Sequence, residues 1–378
     1  MAYIAIFGNV KKVINRRNDK RIRSSVRMIT MREVLVMASE KNASDVHITV
    51  GVSPKCRVNG ELVDIGFPTF SPEDTVSMVM GLMNERQRNI LEEKGEVDFS
   101  YALQHLGRYR VNIFKQRGTY AASIRLVGTT IPTPESLGIP SSVLEQTKKK
   151  RGLVLVTGPT GSGKSTTLAS MLDIINSNYN SHIITLEDPI EYLHKHKKSI
   201  VNQREVGHDT HSFGNALRAA LRQDPDVILV GEMRDLDTIS IAVTAAETGH
   251  LVFSTLHTIG AANTIDRIID VFPPHQQQQI RIQLAAVLEC VVSQQLLPKA
   301  GGKGRVAAFE VMHTNSAIRN LIREAKAHQI MSIMQTNKKL GMQTMDDALF
   351  ELYSRREIDA DKAVSFAQDP IGMSRRVF

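Results

Sequence analysis

The amino-acid sequence predicts a mixed α/β protein, with an α+β domain followed by a parallel α/β domain that ends in a helical region. Three observations lead there. Short apolar runs, several of them alternating, fill residues 45–127 around one helical stretch. A segment with three prolines, GTTIPTPESLGIP at 128–140, then breaks the pattern. Beyond it β-branched runs alternate with helical stretches, and a glycine-rich string stands between the first such run and a helix.

Residues 1–30 form a basic leader. They hold eight basic side chains (Lys11, Lys12, Arg16, Arg17, Lys20, Arg21, Arg23 and Arg27) against Asp19, so seven of the eight net positive charges lie here and the remaining body is nearly neutral. Its apolar residues Tyr3, Ile4, Ile6 and Phe7 precede the basic ones, the reverse of a secretory signal, so export is not expected. The leader reads as a disordered extension, or as sequence ahead of a start at Met28 or Met31. A tether to anionic lipid or nucleic acid is the open alternative.

Residues 31–42 carry Val34, Leu35 and Ala38 at helical spacing, and the runs at 45–50, 55–65, 97–103, 108–115 and 120–127 read as strands. One helix is expected over 72–94. The first domain is therefore 31–127, and 128–140 is a linker too broken for helix or strand. In the second domain, 141–312, the strands are LVLVTG (153–158), HIITLED (182–188), DVILVGE (226–232) and HLVFSTLH (250–257). Each ends with a polar or charged residue at or next to its last position, at the carboxyl edge of the sheet, where ligands bind in such folds. Gly301, Gly302 and Gly304 mark a hairpin, and 313–378 reads as helical.

With 42% hydrophobic and 23% charged residues, the chain is neither disordered nor collagen-like. No window holds the roughly 18 consecutive apolar residues of a membrane span, so a soluble protein is expected. Cys56 and Cys290 stand far apart in apolar surroundings, which predicts buried free thiols in a reducing cytosol.

GPTGSGKS, from Gly158 through Pro159, Thr160, Gly161, Ser162, Gly163 and Lys164 to Ser165, has the phosphate-loop spacing and is followed by Thr166. Glycines let backbone amides turn onto phosphate, Lys164 supplies a point charge, the Ser165 hydroxyl suits magnesium, and the helix amino terminus adds its dipole. A guanine-reading string needs an Asp that Asn337-Lys338-Lys339-Leu340 lacks, so ATP is the expected nucleotide. Hydrolysis also needs a metal-holding acid and a group that handles water. Glu187, Asp188 and Glu191 follow one strand and Glu232 another, with solvated loop acids as the plainer reading for Asp188. His250 and His257 bracket a strand and stand more than about 20 Å apart if it is extended, which excludes a shared metal. His257 reads equally as a γ-phosphate sensor or a structural residue, and His250 as structural. Arg108, Arg110, Arg117, Arg125, Arg218 and Arg222 are surface charges by default, yet motors often supply an arginine to the transition state from a neighbouring domain.

Four strings in order, GPTGSGKS, ITLEDPIEY, ILVGEMRD and TGHLVFSTLHT, resemble the Walker A, aspartate, Walker B and histidine boxes of the secretion ATPases of type II and type IV pilus systems. Within them the chain is similar to the type IV pilus retraction (twitching motility) ATPases from about Met31 to Gly341, and more loosely to the end. AIRNLIRE at Ala317–Glu324 resembles the retraction signature, and two cysteines are too few for the four-cysteine insert typical of extension and type II secretion ATPases. The resemblance implies a PAS-like first domain and a RecA-like second, in a homo-hexamer with Mg-ATP between the domains. It places Glu191 as general base, Glu232 at the metal and His257 near the γ-phosphate, beside the Lys164 and Ser165 of the phosphate loop. Arg110 and Arg125 look similar to first-domain arginines that reach the nucleotide. The implied work is retraction, with the ring turning an inner-membrane platform protein from the cytoplasmic face of the membrane. The leader has no counterpart in that pattern. An extension or secretion ATPase, a nucleic-acid translocase and an accessory nucleotide-binding subunit are the alternatives. The nearly neutral body argues against nucleic acid, and the intact Lys164, Glu191 and Glu232 against an accessory role.

Overall fold

The computed structural model describes residues 29–378 apart from 59, 104, 105, 129 and 303. The expectation for the basic leader falls on 1–28, outside the described residues. The described chain forms two compact units, one of residues 29–106 with Val111–Leu126 and one of Gly107–Arg110 with Val127–Phe378.

In the first unit, α1 (Met31–Glu40) opens with a reciprocal cap. The Thr30 side chain accepts from the Glu33 amide, while Glu33 reaches back to the Thr30 amide. Its buried stripe is Met31, Val34, Leu35 and Ala38. There follow β1 (Asp45–Ile48), β2 (Lys55–Val58), β3 (Glu61–Asp64), α2 (Pro72–Met80), α3 (Glu85–Lys94), β4 (Glu96–Leu103), β5 (Gly107–Gln116) and β6 (Thr119–Leu126). They make a six-stranded sheet in the order β3-β2-β1-β6-β5-β4, with β1 antiparallel to both neighbours. The single helix expected over 72–94 is two. Gly81 closes the first, and Asn84 opens the second by exchanging side-chain caps with Gln87.

The stretch 128–140, expected to hold neither helix nor strand, contains a helical turn, α4 (Pro134–Leu137). Thr133 caps it, Pro134 presets its first φ, and Gly138 ends it at φ 67°. After α5 (Ser141–Leu144) come β7 (Gly152–Thr157), α6 (Lys164–Asn178), β8 (His182–Glu187), β9 (Ile200–Glu205), α7 (Phe213–Ala220) and β10 (Val227–Val230). They continue into α8 (Leu236–Glu247), β11 (Leu251–Leu256), α9 (Ala261–Asp270), α10 (Pro274–Val287), β12 (Leu288–Pro298) and β13 (Arg305–His313). The seven strands run β13-β12-β7-β11-β10-β8-β9, all parallel except β13. The four strands read from sequence form its centre, and β9, β12 and β13 extend it. Every residue of β7, β10 and β11 is buried, as in a parallel sheet covered on both faces. Leu153, Leu155, Ile228 and Val230 pack on one face, Val154, Val156 and Phe253 on the other.

The chain ends in α11 (Ser316–Arg323), α12 (Ile330–Thr336), α13 (Met345–Ser354), α14 (Ala360–Phe366) and α15 (Pro370–Val377). Leu297 and Ala308 of the hairpin pack with Met345, Leu349, Ile358 and Met373. Among the described residues no helix is long and apolar enough to cross a membrane. Cys56 and Cys290 are free and buried, and burial pushes the Cys290 thiol far up.

Candidate active site

Because β7, β8, β10 and β11 are parallel, their carboxyl ends meet at one edge of the sheet. The loop after β7 turns back over that edge. A Cβ on Gly158, whose φ is 140°, would stand 2.2 Å from the Gln294 carbonyl oxygen, so only glycine lets the loop lie this close to β12. Gly163, at φ 90°, leads directly into α6, whose first amides and dipole face the loop. Lys164 Nζ donates to the carbonyls of Gly158 at 2.9 Å and Pro159 at 3.1 Å. Burial pushes the Lys164 ammonium below its ordinary range, opposed by the carboxylates of Glu232 and Glu191.

A cleft of about 680 Å³ opens here, lined by Thr160, Gly161, Gly163, Lys164, Ser165 and Thr166, with Glu187, Asp188, Glu191 and Tyr192 from the β8 edge, and Glu232, Arg234 and His257. Gly158, Pro159 and Ser162 are not in its lining. The Ser162 hydroxyl is buried without a hydrogen-bond partner among the described residues.

His257 joins the loop to the acid of the third strand end. Its Nε2 lies 3.2 Å from Glu232 Oε1, and its Nδ1 lies 3.5 Å from both Lys164 Nζ and Thr160 Oγ1. With its proton on Nε2 the imidazole would donate to Glu232 and accept at Nδ1 from the lysine. Glu232 also accepts from Arg234 Nε. His250, at the opposite end of β11, bonds through Nδ1 to the Ala245 carbonyl at 2.9 Å and lies outside the cleft lining.

The two glutamates of the aspartate box part company. Glu187 accepts from Thr185 Oγ1 at 2.6 Å, from Gln203 Nε2 at 3.1 Å and from the Glu191 amide. Burial pushes its carboxyl up while these bonds pull it back, so Glu187 pins the turn that follows. Glu191 is exposed on that turn, which the Tyr192 hydroxyl ties to Thr166 Oγ1 at 3.0 Å. Ser165 and Glu232 present oxygen donors to the cleft, the donor class magnesium takes. Among the described residues no cluster of three His, Cys, Asp or Glu could hold a metal.

Arg110 is exposed on β5, and Arg125 Nε pairs with Asp45 Oδ1 at 2.9 Å within the first unit. Neither is in the cleft lining. Gln294 and Arg305 are among the residues that escaped the sequence reading. Gln294 of β12 accepts from Thr167 Oγ1 at 2.8 Å and forms a floor beneath the loop. Arg305, at the start of β13, joins the cleft lining.

A phosphate loop on a parallel sheet, faced by strand-end acids, makes the second unit a P-loop ATPase core. The chain belongs to the type II/IV secretion system protein family, whose profile matches residues 20–358. It is 49% identical over 338 residues to the type IV pilus retraction ATPase PilT of Pseudomonas aeruginosa, covering 89% of this chain and 98% of the relative. It is 50% identical over 322 residues to the twitching motility protein of Neisseria gonorrhoeae, covering 85% and 86%. The crystal structure of the pilus retraction motor PilT with bound ADP matches it with a TM-score of 0.86 at 53% identity, over 92% of this chain and 99% of that one.

Proposed function

We propose that this chain is the motor of type IV pilus retraction, a homo-hexameric Mg-ATPase that draws pilin out of the fibre. The observation that carries the reading is likeness to a retraction ATPase over 98% of that relative's length. In the proposed cycle the phosphates of ATP rest on the amides of the 158–166 loop, with Lys164 on the β and γ groups. Ser165 and Glu232 would hold magnesium, which when bound would supply charge neutralisation at the phosphates. Glu191 takes a proton from the attacking water as its oxygen bonds to the γ-phosphorus. The bond from that phosphorus to the bridging oxygen of ADP breaks, and ADP and phosphate leave. His257, joined to Glu232, reads the γ-phosphate, and Arg110 and Arg125 bring positive charge as the domains move. The first domain, 31–127, then swings against the ATPase core, 141–312, of the next subunit, with 313–378 as a helical layer. The ring turns an inner-membrane platform protein at the cytoplasmic face of the membrane, with no nucleic acid involved.

The test is a count of surface pili in a deletion strain complemented by the gene or by its Glu191→Ala form. Many pili that fail to retract, rescued only by the intact gene, are expected. Bald cells would instead make the chain an extension ATPase, and unchanged pili would reopen the translocase and accessory readings.

A further inference from the structure

After His257 the chain turns through Thr258, Ile259 and Gly260 into α9. That helix starts at a glycine, which has no side chain with which to cap it. Its first donors go elsewhere: the Gly260 amide donates to Ser293 Oγ at 2.9 Å and the Ala261 amide to Glu310 Oε1 at 2.7 Å. Glu310 lies on β13, is 1% exposed, and accepts Gln368 Nε2 on its other oxygen at 2.8 Å. The Met345 amide, at the start of α13, also bonds this carboxylate. Gln368 is itself held, since its backbone amide donates to Asp346 Oδ1 at 2.7 Å. One buried carboxylate thus joins the first turns of two helices. One continues from the histidine segment, and the other belongs to the C-terminal helical layer. A buried carboxylate is costly unless its oxygens are satisfied, and an apolar side chain would fill the space without that cost. What it supplies that an apolar group cannot is directed bonds to both helices at once.

We propose that Glu310 is a positioning residue for His257, setting through Ala261 and Gly260 where the imidazole stands against Glu232 and Lys164, and tying that position through Gln368 and Met345 to the C-terminal helices. This rests on the reading of His257 as the γ-phosphate reader. The experiment compares the full chain with Glu310→Gln, Gln368→Leu, His257→Ala and the Glu310→Gln/His257→Ala pair. Both Glu310→Gln and Gln368→Leu are expected to lower kcat for ATP about tenfold with KM nearly unchanged. Gln368→Leu is also expected to speed amide hydrogen exchange over residues 260–264 while leaving the melting temperature close to that of the parent. In the His257→Ala background, Glu310→Gln should cost less than about twofold more, because its effect passes through the missing imidazole. If His257→Ala is impaired while Glu310→Gln and Gln368→Leu turn over normally, or if the losses multiply in the pair, this proposal alone falls. A His257→Ala protein with parental kcat would overturn the histidine reading and the proposal with it.

Discussion

The two sheets use their side chains in opposite ways. In the seven-stranded sheet every residue of β7, β10 and β11 is buried, so polar chemistry can emerge only where strands end. In the six-stranded sheet β5 and β6 mix buried and exposed positions, and Arg110 and Arg125 stand on an exposed surface. The first arrangement concentrates function at an edge where no neighbour can substitute for a lost group. The second spreads charge over a face where water can replace one.

Substitutions at the edge and on the face should therefore differ in size. Lys164→Ala is expected to have the largest effect, a loss of ATP turnover of about a thousandfold or more in a phosphate-release assay. Glu191→Ala should lower turnover by about a hundredfold or more while a fluorescent ADP analogue still binds. Glu187→Gln, which alters only the bonds that pin the turn, should do much less, and the reverse order would exchange the roles of the two acids. Gly158→Ala forces β12 away from the loop and is expected to cost about 1–3 kcal/mol in urea unfolding, with weakened nucleotide binding.

The smallest effect belongs to the face. Arg125 is 68% exposed in its pair with Asp45, and Arg125→Ala should lower stability by less than about 1 kcal/mol. Burial raises the Asp45 carboxyl, but hydrogen bonds from Arg125 and Ser44 outweigh it and hold the group below the usual aspartate range. Such a depressed carboxyl contributes stability above its unfolded pKa and loses it as pH falls through the folded one, so the difference between the two proteins should close in acid. A fall in ATPase rate with the fold intact is also expected. Unchanged turnover would leave Arg125 as a surface charge and sharpen the contrast between edge and face.

The same contrast governs what could be read in advance. The phosphate loop, the acids of the aspartate box and Glu232 are legible because a strand end and the loop after it are contiguous in sequence. The split between α2 and α3 was also written locally, in Asn84 and Gln87 three residues apart, and α4 in Thr133, Pro134 and Gly138; the hydrophobic pattern masked both signals. Gln294 and Glu310 were not legible. Gln294 meets Thr167 only through the pairing of β12 with β7, and the polar pair Gln294-Gln295 interrupts the apolar pattern that would have announced the strand. β9, with Asn202, Gln203 and Arg204 at the sheet's border, reads equally as loop. Glu187 and Glu191 look alike in sequence and separate only when Gln203 of β9 claims one of them.

Placing β12 beside β7 has a consequence for the order in which the protein is made. A chain emerging from the ribosome amino terminus first presents the whole 158–166 loop, Glu191, Glu232 and His257 before it presents residue 294. Until then β7 has β11 on one side and nothing on the other, and the loop has no floor. The nascent chain therefore carries every box of the nucleotide site some forty residues before it carries the strand on which the phosphate loop rests.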